Sequence, residues 1–363
     1  MGGPRQVGKT TISKAIAKDA YERALYLNWD SQEDRRAIIG KKWSSDVEFV
    51  VFDELHKFSK WKSWIKGVYD TRTSDQHYLV TGSARLDIYK AGGDSLLGRY
   101  HYWRLHPFTL DELPSSMTSE EAYQRLLTVG GFPEPFLLGD ERQARRWRRE
   151  RFDRIIKEDV RDVEQIRDTT LLSLFIDALR SRTGGLITLS NIAGDLEISP
   201  KTAKSWLMLI EKMYLAFPIY PLTNNVPRAI LKPPKVYFYD NADVTAEGGA
   251  RLENLVATHL LKRLHFIEDY HGYRCELRYI RDKEGREVDF VVIIDGVIHD
   301  LIEVKTSDEK ISSSLKYYSK LLKPLKTTQL VGNLKNAYEH EGIRVMHPIE
   351  YFKNPPWQEV IAI

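Results

Sequence analysis

Gly3-Pro4-Arg5-Gln6-Val7-Gly8-Lys9-Thr10-Thr11, near the start of a 363-residue sequence, is the stretch that decides the fold. It fits the pattern G-x-x-x-x-G-K-[ST], in which a tight, glycine-bounded loop leads into a helix. The backbone N–H groups of such a loop wrap the phosphates of a nucleotide, and the N-terminal dipole of the helix attracts them further. We therefore expect the whole stretch to bind ATP, with Lys9 at the β- and γ-phosphates and Thr10 at Mg²⁺.

Two carboxylates follow a second apolar run. Val47–Phe52 is rich in β-branched and aromatic residues, which predicts a buried strand that ends in Asp53 and Glu54. Ligands of open α/β sheets bind at the carboxyl ends of the strands. We expect Asp53 to hold Mg²⁺ through water, and Glu54 to orient and deprotonate the attacking water.

Two further residues complete the expected ATP site. Ser83 belongs to Thr81-Gly82-Ser83, just after the predicted strand His77–Val80, and its hydroxyl is expected to hold the lytic water. Arg99 is a candidate arginine finger that acts on the nucleotide of a neighbouring subunit, and this role predicts a homo-oligomer. The alternative for Arg99 is an ordinary surface arginine.

The composition excludes several classes of protein. Hydrophobic residues form 42% and charged residues 29% of the chain, which excludes a disordered or collagen-like chain. The 54 basic and 51 acidic residues nearly cancel, which argues against a uniformly basic nucleic-acid coat. An arginine-rich run at 145–154 is either a solvated helix face or a contact for phosphate or a partner. The single cysteine, Cys275, cannot form an internal disulfide, so we expect a cytoplasmic protein. No apolar run reaches about 18 residues, so no membrane span is expected.

The residue pattern divides the chain into four parts and predicts an α/β fold. Residues 1–115 alternate strands with helices, which is typical of a parallel sheet. The strands are expected at 24–29, 47–52, 77–80 and 101–105, and the helices at 10–20, 61–69 and 87–91. Residues 116–180 are helical and charge-rich, as in a lid or connector, apart from a loop expected at 130–135. Residues 181–223 resemble a winged helix-turn-helix with Ala216–Pro221 as the start of the wing, and this part either contacts DNA or packs against protein. Residues 224–363 begin with a proline-containing linker at 224–235 and continue as a second α/β pattern.

The ordered motifs resemble those of the AAA+ ATPases that carry a C-terminal DUF4143 domain. The resemblance rests on GPRQVGKTT, FDELHK, TGSAR, SLLGRY, LHPFTLDEL and GGFPEP, and later on KPPKVYFYDNA, GGARLENLVATHLL and GREVDFVVIIDGVIHDLIEVK. It covers nearly the whole chain. It implies an AAA+ core that binds ATP, a winged-helix segment and a C-terminal domain like the PD-(D/E)XK nucleases.

The resemblance also implies a strand ahead of the loop. That first strand is expected at the centre of the sheet, between the strand before Ser83 and the strand that carries Asp53. Only Met1 and Gly2 precede the loop in this sequence. We therefore expect a sheet without its first strand, and we expect upstream residues to raise ATP affinity and stability.

Four residues of the last part match the nuclease signature: Glu253, Asp289, Glu303 and Lys305. Glu303 and Lys305 are two apart, so they share one face of a strand. A three-residue turn at Asp295-Gly296-Val297 pairs Asp289 with Glu303 on one side, whereas a two-residue turn sets the acids on opposite faces. We expect Glu253, Asp289 and Glu303 to bind Mg²⁺, and Lys305 to stabilise the attacking hydroxide or the phosphorane charge. The alternative is an exposed, charge-alternating hairpin in a fold without activity.

These expectations combine into two functions. The first is an AAA+ protein that hydrolyses ATP with Mg²⁺ to drive a nuclease-like domain that acts on DNA or RNA. The second is an ATP-dependent regulatory protein that binds a protein partner and has no nuclease activity. Intact Lys9, Asp53 and Glu54 favour both over a remnant that binds no nucleotide. The complete nuclease signature favours the first.

Overall fold

The computed structural model describes residues 1–72, 75–82, 96, 98–160, 169–223, 232–307, 310–353 and 357. The chain divides into two units. The N-terminal unit comprises Met1–His106 with Lys212–Tyr214, and the C-terminal unit comprises Pro107–Glu211 with Leu215–Ile363. No helix in the described ranges is both long and apolar enough to cross a membrane.

The N-terminal unit contains a parallel sheet with the strand order β1-β2-β3. Its elements are α1 (Lys9–Ala20), β1 (Ala24–Asn28), α2 (Gln32–Gly40), β2 (Phe49–Asp53), α3 (Trp61–Asp70) and β3 (His77–Val80), with a 3₁₀ turn at Leu55–Lys57. Every residue of β2 is buried. Phe52 packs among the rings of Trp43, Trp64 and Tyr78, so aromatic contacts anchor the strand that ends in Asp53.

The sequence predicted these three strands and the helices α1 and α3 within about two residues, and the structure confirms them. The predicted strand His101–Leu105 is wrong, because the only β-pairing in that segment is a one-residue bridge between Arg104 and Gly2. The helix predicted at 87–91 lies outside the described residues.

The predicted position of the first strand is also wrong. β2 and β3 pair directly, with Val51 opposite Leu79, so no strand lies between them. The physical reason is that β1 and β3 already use both hydrogen-bonding edges of β2. The residues before the loop lie on the other side of β3, where the Met1 nitrogen donates to the Val80 carbonyl at 2.6 Å. The Gly2 nitrogen donates to the Trp103 carbonyl at 2.9 Å.

The rest of the chain builds an eight-stranded mixed sheet with the order β10-β11-β9-β8-β7-β6-β4-β5. The strands are β4 (Ala216–Pro221), β5 (Lys235–Phe238), β6 (Cys275–Arg281), β7 (Glu287–Ile294), β8 (Val297–Lys305), β9 (Lys326–Val331), β10 (Tyr338–His340) and β11 (Ile343–Met346). The helices are α4 (Ser119–Thr128), α5 (Pro133–Leu138), α6 (Glu141–Arg154), α7 (Thr169–Arg180), α8 (Leu189–Asp195), α9 (Pro200–Lys212), α10 (Ala250–Phe266), α11 (Ser313–Leu322) and α12 (Pro348–Lys353). Helix α10 packs on β5, β6, β7 and β8.

Three details of this region differ from the sequence interpretation. Pro133-Glu134-Pro135, expected in a loop, opens α5, because a proline at the first helical position has no N–H to lose. Ala216–Pro221, expected as a wing, is β4 of the large sheet, antiparallel to β5 and parallel to β6. Arg151, in the arginine-rich run, is only 3% exposed and lies over the ring of Phe132, so the run is not simply a solvated face.

The β7–β8 hairpin combines a two-residue turn with a β-bulge. Asp295 and Gly296 both have positive φ, and Ile294 pairs with Val297 across them. The register then shifts by one residue at His299, so that Phe290 pairs with Ile302. The turn is therefore not the three-residue turn that we considered. Beyond the bulge, the register is nevertheless the one that a three-residue turn would have given, with Asp289 opposite Glu303.

Candidate functional site

The loop before α1 needs glycine at two positions. Gly8 caps α1 with φ 98°, in the left-handed region that favours glycine. A Cβ on Gly3, where φ is 145°, would lie 2.3 Å from the carbonyl oxygen of Leu105. The backbone of the loop can therefore follow this path only with these glycines, and it ends at the N-terminus of α1.

The side chain of Lys9 lies inside this loop. Its Nζ donates to the carbonyl oxygens of Gly3 at 3.0 Å and Pro4 at 2.6 Å. The loop thus holds a buried ammonium at the positive end of the α1 dipole, an arrangement that attracts anions.

Asp53, at the end of β2, accepts hydrogen bonds from three hydroxyls and one backbone N–H. Oδ2 accepts from Thr10 Oγ1 at 2.8 Å and from the Tyr26 hydroxyl at 2.5 Å. Oδ1 accepts from the Thr81 hydroxyl and from the Glu54 nitrogen at 3.1 Å. Burial alone would raise the pKa of Asp53, but the three hydroxyl hydrogen bonds outweigh it and hold this pKa below its ordinary value.

The structure brings Thr10 and Asp53 together, as the sequence predicted, and it adds two residues that the prediction missed. Tyr26 lies on β1, opposite Val51 of the neighbouring strand. Thr81 follows β3, and its hydroxyl donates to Oδ1 of Asp53. The sequence did contain a signal for both residues, because each is polar and lies near the carboxyl end of a strand that neighbours β2.

Two of the other predicted catalytic residues, Glu54 and Arg99, form ion pairs with side chains outside the Asp53 hydrogen-bond network. Glu54 has φ 57°, and its carboxylate lies 3.3 Å from the Lys57 ammonium. Arg99 Nε donates to Asp70 Oδ1 at 2.9 Å, an exposed ion pair within the N-terminal unit. Ser83 lies outside the described residues.

A second group of charged side chains lies in the C-terminal unit, around a lysine. Lys235 Nζ lies 3.0 Å from Glu253 Oε1, 2.6 Å from Glu287 Oε1 and 3.1 Å from Asp289 Oδ1. We call these four residues the Lys235 cluster. Lys235 is 2% exposed. Burial opposes its charge, but the surrounding groups raise its pKa above the ordinary value.

The remaining two residues of the nuclease signature form a pair beside this cluster. Lys305 Nζ lies 2.7 Å from Glu303 Oε1, whereas Glu303 Oε2 is buried without a hydrogen-bond partner. Burial, together with the charge of Asp289, raises the pKa of Glu303 to about 7. The same two causes raise the pKa of Glu253 to about 7.

The predicted ligand set Glu253, Asp289 and Glu303 does converge, but these residues do not fit Mg²⁺. An ammonium lies among the carboxylates, and in the part of the chain that is described no group of three or more His, Cys, Asp or Glu residues is arranged to hold a metal ion. The sequence interpretation missed Lys235, because Pro233 and Pro234 beside it suggested a linker.

The loop, the helix that follows it and the strand-end aspartate define a P-loop nucleotide-binding domain. Three family models match the chain: "AAA domain" at residues 1–114, "Domain of unknown function (DUF8612)" at 120–247 and "Domain of unknown function (DUF4143)" at 248–352. The chain thus matches an AAA domain model at its N-terminal end and a DUF4143 domain model at its C-terminal end.

Similar proteins occur in distant organisms. An uncharacterised protein of Mycobacterium tuberculosis is 23% identical over 337 residues, which cover 86% of this chain and 71% of that protein. One of Haemophilus influenzae is 24% identical over 365 residues, or 92% and 86%. One of Methanocaldococcus jannaschii is 25% identical over 378 residues, or 94% and 82%. Among solved structures, RuvB of Thermotoga maritima matches at 16% identity and a TM-score of 0.31, covering 64% of this chain and 86% of RuvB, a similarity too low to support an inference.

Proposed function

We propose that this chain binds ATP with Mg²⁺ at the loop Gly3–Thr11 and hydrolyses it to drive its C-terminal unit. The 2.8 Å contact between the Thr10 hydroxyl and the Asp53 carboxylate carries this proposal. It joins the start of α1 to the end of β2, so two oxygen ligands meet beside a loop that holds a buried lysine. A nucleotide-bound Mg²⁺ needs only one or two protein ligands of this kind, because phosphates and waters supply the others.

Each residue of the site has a distinct role in this proposal. Bound Mg²⁺ supplies positive charge that stabilises the transferring phosphoryl group. Lys9 exchanges its carbonyl partners for phosphate oxygens, while Thr10 and Asp53 hold the metal. Glu54 orients and deprotonates the attacking water, and Ser83 helps to hold that water. Arg99 leaves Asp70 to act on the nucleotide of a neighbouring copy, which requires a homo-oligomer.

The C-terminal unit has two candidate tasks. Cleavage of DNA or RNA is supported by the convergence of Asp289, Glu303 and Lys305. Regulation through a protein partner, without cleavage, is supported by Lys235, which lies where a metal would be needed.

The proposed organisation remains the one predicted from the sequence. It has an ATPase core at 1–115, a helical lid or connector at 116–180, a helix-turn-helix segment at 181–223 whose expected wing is strand β4 of the large sheet, and a PD-(D/E)XK-like domain at 224–363. We propose a cytoplasmic location for it.

The decisive experiment measures ATP binding and phosphate release with Mg²⁺ for the wild type, Lys9→Ala and Lys18→Ala. Lys9→Ala should lower turnover about 10²–10³-fold, because the lysine carries transition-state charge. Lys18 lies on the same helix but is exposed, so Lys18→Ala is the matched control. Turnover that survives Lys9→Ala unchanged would refute the proposed ATP site.

A further inference from the structure

We propose that the Lys235 ammonium takes the place of a divalent cation in the C-terminal unit, so that its carboxylate site is complete without a metal. This inference chooses between the two candidate tasks of that unit and does not depend on ATP hydrolysis.

The geometry of Lys235 matches that of a bound cation. Its three contacts, 2.6–3.1 Å long, reach carboxylates from two different elements, Glu253 on α10 and both Glu287 and Asp289 on β7. A lysine ammonium has three N–H donors, so these carboxylates account for its full donor capacity. The site therefore contains a positive charge that the chain itself supplies.

The second carboxylate oxygens of Asp289 and Glu287 are also engaged. Asp289 Oδ2 accepts from the Val304 nitrogen at 2.9 Å, and Glu287 Oε2 accepts from Arg281 at 2.6 Å. Glu253 Oε1, which already contacts Lys235, also accepts from the Tyr237 hydroxyl at 2.6 Å. A divalent cation at these oxygens would compete with donors that already occupy them.

The backbone prevents Lys235 from moving away easily. The residue begins β5, where it pairs with Ile219 of β4, and it forms an isolated bridge with Leu186 on the other side. Its side chain is 2% exposed, so a metal would have to share a buried pocket with the ammonium. Two cations held a few ångströms apart in such a site repel each other strongly.

The lysine of the nuclease signature has a different environment. Lys305 is about one-third exposed and contacts Glu303 at 2.7 Å. In the predicted mechanism that lysine accompanies a metal. Here the buried Lys235 contacts Glu253 and Asp289, two of the three carboxylates that were predicted to bind the metal, so a cation of the chain already lies beside them.

The test counts Mn²⁺ bound to the full chain, without nucleotide, by electron paramagnetic resonance. Every variant carries Asp53→Asn, which removes the carboxylate of the N-terminal site. The wild-type cluster should bind no more Mn²⁺ than Asp289→Asn. Lys235→Met should gain about one Mn²⁺ per chain, because three carboxylates then lack a cation. Adding Asp289→Asn to Lys235→Met should remove that gain, and Lys235→Arg should bind no more than the wild type.

The outcomes separate clearly. A Mn²⁺ ion that binds the wild-type cluster and is lost in Asp289→Asn overturns the proposal, as does a folded Lys235→Met that binds none. A Lys235→Met chain that folds only with Mn²⁺ supports it. If that variant folds under neither condition, the comparison of wild type with Asp289→Asn decides alone. None of these results bears on the Lys9→Ala test of ATP turnover.

Discussion

The two units hold buried carboxylates in opposite ways. In the N-terminal unit, Asp53 accepts four hydrogen bonds from three hydroxyls and one backbone N–H. In the C-terminal unit, Glu253, Glu287 and Asp289 surround the ammonium of Lys235. Neutral donors in the first site lower the pKa of Asp53, whereas burial and mutual repulsion in the second raise the pKa of Glu253 to about 7.

This difference teaches that a cluster of acids is not by itself a metal site. A carboxylate held by neutral dipoles is oriented and keeps its negative charge, so it still attracts a cation. Carboxylates arranged around a lysine have already been neutralised in part. The surroundings of a signature residue therefore decide its chemistry.

The largest expected effect tests the lysine of the Lys235 cluster. Lys235→Met should lower the free energy of unfolding by about 3–5 kcal/mol, because removing one partner leaves buried charges uncompensated. Urea denaturation at pH 7 in a metal chelator measures this loss. Lys232→Met, at an exposed lysine three residues earlier, is the matched control. If the two variants lose equal stability, the Lys235 ammonium does not compensate the charges of the buried carboxylates around it.

The next effect tests whether Asp53 keeps its charge for catalysis. Asp53→Asn should reduce Mg²⁺-dependent ATP turnover about 10²–10³-fold, because the amide cannot stabilise the bound cation. Phosphate release under saturating ATP measures it. Asp19→Asn, on the exposed face of α1, provides the control. A loss below about threefold would remove Asp53 from the proposed site.

A smaller effect concerns pH. The pKa of Glu303 is about 7 in the folded chain and ordinarily 4.5, so the folded state binds more protons between these values. Its stabilising contribution is therefore complete below pH 4.5 and is lost as the pH rises through 7. Glu303→Gln should remove this loss and gain about 2 kcal/mol relative to the wild type between pH 4.5 and 8.

Denaturation at several pH values measures the difference between the two proteins. Glu247→Gln, at an exposed glutamate, controls for the change in net charge. If the stability curves of Glu303→Gln and the wild type run parallel, then Glu303 titrates normally.

The smallest effect tests one neutral donor of the N-terminal site. Tyr26→Phe removes the 2.5 Å hydrogen bond to Asp53 and should cost about 1 kcal/mol of stability. Turnover should fall only a few-fold, since two other hydroxyls still orient the carboxylate. Tyr21→Phe keeps the stacking on Phe49 and is the control. An effect as large as that of Lys235→Met would contradict the distinction between the two sites.

Much of the N-terminal site was predictable from the sequence because its signals are local. The loop, the helix after it and the apolar strand before Asp53 each depend on neighbouring residues, and each was found within about two residues. The hydroxyls of Tyr26 and Thr81 were missed, because their contacts with Asp53 span 27 and 28 residues. The order of the strands was missed as well, since pairing between strands is not encoded in either strand alone.

The C-terminal cluster shows where prediction from sequence stops. The turn residues Asp295 and Gly296 were recognised, but the bulge at His299 was not, and it is the bulge that sets Asp289 against Glu303. A one-residue shift of this kind depends on packing over both faces of the sheet.

By itself, the sequence determined the candidate site residues: a glycine-bounded loop with a lysine, a strand-end aspartate, and acids with a lysine in a hairpin. These features could be recognised because their residues lie close together in the sequence, within a single loop, helix or strand. Only the tertiary structure decided what surrounds them. It brings Lys235 to within hydrogen-bonding distance of Glu253 and Asp289, residues 18 and 54 positions away, because β5 joins the sheet beside α10. Because the site is buried, the Lys235 ammonium strongly affects the net charge around these carboxylates.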